Sequence, residues 1–304
     1  MLRAKEISGG YDIELGKTFG LQKTIWDDKK YDANEYGTKI VSELVPGGGF
    51  SFPKSLYTVY DAIYAGTADD KEAIVLDFFS GSATTAHAVM KLNAEDHGKR
   101  KFIMVQLPEN LDEAIIRPGL DARLKSNIKE TIKYLDKKGY PHTICSIGEE
   151  RIRNAGIKLN KEYPEATDLD VGFRILKLDT TNMNNVYYAA GDYTQDLVSM
   201  LESNVKSDRT DLDLLFGCLL EWGLPLSLPY TSEVIEDCTV HTYNDGDLIA
   251  CFDENVPESV IKIIAKRQPL RAVFRDSSFA SSPEKINVGE IFKLLAPDTR
   301  VKVI

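Results

Sequence analysis

Residues 73–79 read AIVLDFF, an apolar run interrupted by one acid near its end, and SGSATT follows directly. Such a run suits a strand buried on both faces of a parallel sheet. The small residues after it suit a tight turn into a helix, expected over about 84–92. Parallel strands need crossover connections, so this feature commits the surrounding chain to alternating strands and helices. The flanking sequence supplies them. A short helix is expected over 38–45, ending at Pro46-Gly47-Gly48-Gly49, and another over 55–66 with Leu56, Val59, Tyr60 and Ile63 on one face. Downstream, KFIMVQ at 101–106 reads as a strand, 119–138 as a long helix stopped by Gly139 and Pro141, 142–146 as a short strand and 149–160 as a helix. Residues 1–36 show no sustained period and read as a tail.

The 304 residues are enough for about two domains. Tyr163-Pro164-Glu165 and the acidic TDLD at 167–170 make a plausible linker. Beyond it, strands are expected over 172–178, 238–243, 248–252, 271–275 and 300–304. Helices are expected over 194–205, 212–222, 258–266 and 283–295, and Asn244-Asp245-Gly246-Asp247 is a turn between two strands. The fold class read from the residues is α/β: a parallel sheet with crossover helices, then a second small α/β domain with a mixed sheet.

Charge narrows the functional choices. The 37 basic and 47 acidic side chains give a net charge of −10, and all of the excess lies beyond residue 159. A surface that binds nucleic acid needs local positive potential to displace counterions, so the acidic half is a poor candidate. Only 97–138 leans basic, as a solvated helix face would. Cys145, Cys218, Cys238 and Cys251 are scattered without a CxxC pair, which argues for reduced thiols and against zinc. No apolar stretch approaches the ~20 residues of a membrane span. MLRAKEISGG lacks the apolar core of a secretory signal, so a cytoplasmic protein without a membrane partner is expected.

Chemistry concentrates between Asp77 and Thr85. An acid at a strand end can accept hydrogen bonds from a cationic amine. Small residues let a ligand approach the backbone, and the first amides of the helix favour negative charge. A ligand with an ammonium and a carboxylate at one end fits this pairing. A dinucleotide would want G-x-G-x-x-G, and that spacing is absent, so a nicotinamide-dependent enzyme is disfavoured. FSFPK at 50–54 adds a proline at a helix entrance, the cation Lys54 and apolar rings.

Together these segments resemble the modification subunit of type III restriction–modification systems, a β-class adenine-specific DNA methyltransferase, in its C-terminal portion. FSFPK resembles the family's motif X and DFFSGSATTAHAV at 77–89 its motif I. RKFIMVQLPEN at 100–110 resembles the motif II strand and TICSIGEERIR at 143–153 the segment after it. GFRILKLD at 172–179 and the stretch 273–304 resemble the strand after the methylase domain and the end of these subunits. The resemblance runs from about residue 25 to the last residue. It implies a partial Rossmann-like S-adenosylmethionine-dependent sheet over 38–163, preceded over 1–37 by the tail of a target-recognition or linker region and followed over 166–304 by a C-terminal α/β domain. It also implies S-adenosylmethionine as cofactor, and double-stranded DNA, a restriction subunit and a second copy as partners of the intact enzyme.

By the same resemblance, Asp77, Phe79, Gly81 and Ser82 hold the methionine end of the cofactor. Phe52, Pro53, Lys54 and Ser55 close the pocket, and Gln106 stands where a carboxylate often meets the ribose, with Glu109 nearby. Ala83 replaces a frequent second glycine. These enzymes extract the target base and hold its amine with a D/N/S-P-P-Y/F motif. None is present. Ser227-Leu228-Pro229-Tyr230 lacks the first proline and reads as a loop. The chain is therefore expected to carry no catalytic residue and to be silent alone. An alternative is an interaction module with a vestigial cofactor loop. Glu149-Glu150-Arg151-Ile152-Arg153 is expected on a solvated helix face, Asp276-Ser277-Ser278 as a strand-end cap, and His87 as a packed or surface histidine.

Overall fold

The computed structural model describes residues 2–7, 10–15, 24–184 and 204–304, the first two stretches as backbone only. The chain divides into two compact units, Met1–Ile175 and Leu176–Ile304.

In the first unit, β1 (Leu2–Ile7) and β2 (Gly10–Leu15) form an antiparallel hairpin in which Leu2 pairs with Leu15 and Ile7 with Gly10. The tail expected over 1–36 thus contains strands, missed because charged residues interrupt their apolar alternation. Then come α1 (Lys39–Leu44), α2 (Leu56–Thr67), β3 (Ile74–Asp77), α3 (Thr84–Asp96), β4 (Lys101–Met104), the one-turn α4 (Leu111–Ala114), α5 (Ala122–Lys138) and α6 (Ile144–Glu162). Local chemistry sets the ends. The Ser55 hydroxyl accepts from the Tyr57 amide to cap α2, and Asp121 accepts from the Arg123 and Leu124 amides to cap α5. α5 ends at Gly139, whose φ of +69° closes the helix behind Lys137 and Lys138.

β3 and β4 pair in parallel, Asp77 opposite Met104. One face of this pair meets α3, where Val75 and Phe102 pack on Ala88, Val89 and Leu92. The other does not match the expectation of burial on both faces: Ile74 is 65 % and Leu76 57 % exposed, with Ile103 and Val105 each at 50 %. Among the described residues no core cluster takes in these four side chains, so each forgoes roughly half of the ~1.5–3 kcal/mol that full burial is worth.

Two expected strands are absent. Residues 142–146 form no ladder; Thr143 makes one isolated bridge to Asn110, and its hydroxyl accepts from the Ser146 amide to start α6. The apolar residues Ile144, Ile147, Ile152, Ala155 and Leu159 follow a helical spacing that begins there, and all five are buried. Residues 172–178 are irregular, and Leu178 is 99 % exposed. Leu169, Val171 and Phe173 pack on the core of the first unit, which places the boundary between units after the acidic run.

The second unit contains α7 (Asp211–Glu221), β5 (Tyr230–Ile235), β6 (Cys238–Tyr243), β7 (Leu248–Cys251), α8 (Glu258–Lys266), β8 (Arg271–Phe274), α9 (Ser282–Leu295) and β9 (Arg300–Val303). The strands form one mixed sheet in sequence order, antiparallel from β5 to β7 and parallel from β7 to β9. All four residues of β7 are buried. Ile249 and Cys251 meet Val260, Ile264 and Phe292 from α8 and α9, while Leu248 and Ala250 meet Leu215 and Leu219 from α7. The strand β5 lies where no strand is expected, because its residues are largely exposed and carry no apolar period. The helix expected over 194–205 lies outside the described residues except for its last two, of which Val205 bridges Met183. Ser227–Pro229 is a loop, with the Leu228 amide donating to the Tyr243 hydroxyl. Ser278 fulfils the cap role, donating to the Asp253 carbonyl at 2.7 Å.

Candidate functional site

β3 ends in Asp77, and the chain turns through Phe78–Ala83 into α3. One Asp77 oxygen accepts from the Thr85 hydroxyl at 2.6 Å and the other from the Phe79 amide at 3.2 Å. The carboxylate is half-buried. With about four acceptor positions on an ionised carboxylate, capacity remains for an incoming cation. Phe78 and Phe79 are exposed, their rings tilted with centroids 5.2 Å apart.

The bend needs glycine. Gly81 has φ of +50°, and a Cβ there would stand 2.8 Å from Cζ of Phe50. That contact joins the 50–55 segment to the loop, so the structure brings the two motif-bearing stretches together through Phe50 rather than Phe52. Gln106 joins them from the end of β4. Its amide oxygen accepts from the Gly81 N–H at 2.7 Å and its NH2 donates to the Leu107 carbonyl at 3.2 Å. Ala83 donates to the Ser80 carbonyl at 2.7 Å and holds a left-handed φ of +58°. α3 therefore starts without a side-chain cap, leaving its first amides to be satisfied otherwise.

The other site residues divide into outward and inward sets. Phe52, 89 % exposed at φ +56°, and the exposed Lys54 face solvent. Pro53 and Ser55 are buried at the entrance of α2, where Ser55 donates to the Lys30 carbonyl at 2.7 Å. Ser82 is 2 % exposed and points inward. Its hydroxyl and carbonyl accept from one Arg151 nitrogen at 2.8 and 3.1 Å, and that nitrogen also reaches the Thr84 hydroxyl at 2.7 Å.

Arg151 corrects the expectation of a solvated face over 149–153: Arg151 and Glu150 are fully buried. Lys138, Arg153 and Tyr134 surround Glu150, and α6 is wrapped on more than one side. Sequence reasoning counted Phe50 only among the apolar rings of FSFPK and placed Arg151 on a solvated face. Gly148, three positions before Arg151, lies against the same loop, where a Cβ would stand at ordinary contact distance, 3.5 Å from the Gly81 carbonyl.

With this geometry in place, likeness to known proteins decides the family. Residues 15–167 match the family model described as DNA methylase. The chain belongs to the DNA methylase family. The matched region holds β3, the Asp77–Thr85 turn, α3, β4 and Gln106. The chain is also 48% identical over 258 residues to the EcoP15I Mod subunit of a type III restriction-modification enzyme from Escherichia coli, covering 81% of this chain and 34% of that protein. It is 35% identical over 155 residues to the StyLTI Mod subunit from Salmonella typhimurium, covering 51% of this chain and 20% of that protein. The type II methyltransferase M.KpnI from Klebsiella pneumoniae is 36% identical over 84 residues, 28% of this chain and 19% of its own length. The chain thus spans about a third or less of the curated relatives it matches.

His87 sits on α3 behind the methylase turn, packed rather than on the surface, and burial with the nearby Arg151 charge lowers its pKa to about 3. The unfolded chain then binds a proton that the folded chain refuses between about pH 6.5 and 3. Stability should fall as pH drops through that window, by about 1.4 kcal/mol per unit. Denaturant titrations at pH 6.5 and 5 should show the first unit losing about 2 kcal/mol more than the His87→Gln variant; equal losses would remove His87 as the cause.

Proposed function

We propose that this chain is the cofactor-binding portion of an adenine-N6 DNA methylating subunit of a type III restriction–modification system. The observation that carries this reading is the convergence of Phe50, Asp77, Gly81 and Gln106 on one turn, within the stretch that matches the DNA methylase family. The residues fit S-adenosylmethionine in charge and shape: a half-buried carboxylate with spare acceptor capacity for an ammonium, exposed rings of Phe52, Phe78 and Phe79 for flat apolar contact, and a bend whose backbone favours glycine at position 81. When bound, that cofactor supplies an electrophilic methyl group.

In this reading Asp77 accepts from the ammonium, and Phe79 and Phe52 wall the donor with Pro53, Lys54 and Ser55 fixing the second wall. Gln106 meets the ribose with its free amide hydrogen or after releasing Gly81, and Ser82 shapes the loop from behind. Duplex DNA, a restriction subunit and a second copy are the partners in the intact enzyme, in the cytoplasm. What supports these partners is the likeness to Mod subunits of type III enzymes.

Titration of the full chain with S-adenosylhomocysteine, followed by amide chemical shifts, tests the site. Shifts should centre on Asp77, Gly81 and Gln106 at millimolar ligand, and Asp77→Ala should weaken binding about tenfold, the effect of one charge-assisted hydrogen bond. Shifts confined to other surfaces, or an unchanged affinity in the variant, would overturn the assignment. The second reading, an interaction module, rests on the acidic excess beyond residue 159. Salt-dependent self-association of the full chain in sedimentation, without ligand shifts at Gly81, would favour it.

A further inference from the structure

Among the described residues, Arg151 is a buried charge that the fold alone does not explain. Its side chain is fully buried, and among the described residues no carboxylate pairs with it. Nη1 serves three oxygens, while Nε and Nη2 have no partner. A buried cation without a counter-ion costs several kcal/mol, and a hydrophobic residue in its place would carry no such penalty. What the guanidinium does hold is specific. Its three acceptors, the Ser82 carbonyl, the Ser82 hydroxyl and the Thr84 hydroxyl, flank Ala83 on both sides. Ala83 is the residue held at φ +58°, a conformation that costs a non-glycine residue about 1–2 kcal/mol. A short-range interaction cannot supply this: Arg151 lies 69 residues from Ser82 in the sequence.

The position also matters electrically. The guanidinium sits behind the first turn of α3, whose uncapped amides carry partial positive charge. The neighbouring His87 is held neutral and contributes no negative charge. Positive potential therefore collects behind the turn from two sources. Asp77, bonded to the Thr85 hydroxyl and the Phe79 amide, offsets part of it. An anionic group arriving at the turn would offset more.

We propose that Arg151 is a positioning residue of the methylase turn: it locks Ser82–Thr84 in the strained bend and supplies the positive field that favours the carboxylate end of the ligand. This rests on the cofactor reading for the ligand but not for the bend. The first consequence is mechanical and the second is selective, and they are measured separately.

The full chain and its Arg151→Met and Arg151→Lys variants decide it. Amide hydrogen exchange at Gly81–Thr85, referenced to α5, should quicken about tenfold or more in Arg151→Met and return within about threefold in Arg151→Lys, since Nζ can still reach one acceptor. S-adenosylhomocysteine should bind Arg151→Met about tenfold more weakly, while 5′-methylthioadenosine, the same nucleoside thioether without the amino-acid end, should bind it within twofold of the native chain. A purely structural arginine would weaken both ligands equally, and that result overturns the electrostatic half. Unchanged loop exchange in Arg151→Met overturns the positioning half. If the native chain binds neither ligand, the cofactor reading and the selective half fall together, whereas loop exchange still decides the bend. Should Arg151→Met fail to fold, Thr84→Val and Ser82→Ala remove its acceptors and keep the charge. Faster exchange at Ala83 in those variants supports the proposal, and unchanged exchange sinks it.

Discussion

Mixed with duplex DNA and S-adenosylmethionine carrying a labelled methyl group, the 304-residue chain should transfer no label to adenine above the rate without protein. The reason is positional. Extracting a base and aiming its amine at a sulfonium methyl are orientation effects, which in enzymes are worth effective concentrations of about 10⁵–10⁸ M. The D/N/S-P-P-Y/F motif that would provide them occurs nowhere in the sequence. Its nearest lookalike, Ser227–Tyr230, holds Leu228 where the first proline would stand and forms the loop that enters β5, with the Leu228 amide committed to Tyr243. Measurable methylation of adenine by this chain alone would mean that another group performs the orientation, and would overturn the assignment of this chain as cofactor portion only.

The largest stability effect should come from Phe274→Ala in the second unit. Phe274 is fully buried, lies in the central region of the mixed sheet and meets Phe279 and Phe292 with ring centroids at 5.8 and 6.2 Å. Truncating it removes burial and leaves a cavity between sheet and helices, a loss of about 3–5 kcal/mol. Against a typical domain stability of about 5–15 kcal/mol, that is enough to leave the second unit partly unfolded at physiological temperature. Thermal unfolding followed by near-ultraviolet circular dichroism should show the second unit melting early and the first unit unmoved. A shift of a degree or two would mean that the helices collapse onto the gap.

The contrast between β3 and β7 explains why one apolar run was misjudged. Both are continuous apolar runs, and the sequence reading assigns burial on two faces to the first. β7 has α7 on one side and α8 with α9 on the other, so all four of its residues are buried. Among the described residues β3 is packed by α3 on one side, and Ile74 and Leu76 are left at 65 % and 57 % exposure. An apolar run states what a strand can bury, while its neighbours state what it does bury. The same limit hid β5, whose exposed TSEV segment carries no apolar period and is held by its ladder to β6.

Residues 142–153 failed for a different reason. Thr143 and its cap are a local signal for a helix start, yet the β-branched residues beside it suggested a strand. The charged string that follows suggested solvent, because nothing in EERIR announces that its middle arginine turns toward a turn 69 residues earlier. Burial of a charge is a tertiary fact. It requires acceptors gathered from elsewhere in the chain, and no window of sequence contains them.

By itself, the sequence determined the α/β class, the acid–small-residue turn between Leu76 and Thr85, most helix limits and the likeness to methylase motifs, since each depends on residues close together in the chain. Only the tertiary structure decided that Phe50 rather than Phe52 touches Gly81, that Gln106 is tied to the bend, and that Arg151 stands behind it. Local torsions and caps act over a few residues. Contacts that hold a strained turn come from wherever the packed elements deliver a partner, and that delivery is written in the fold.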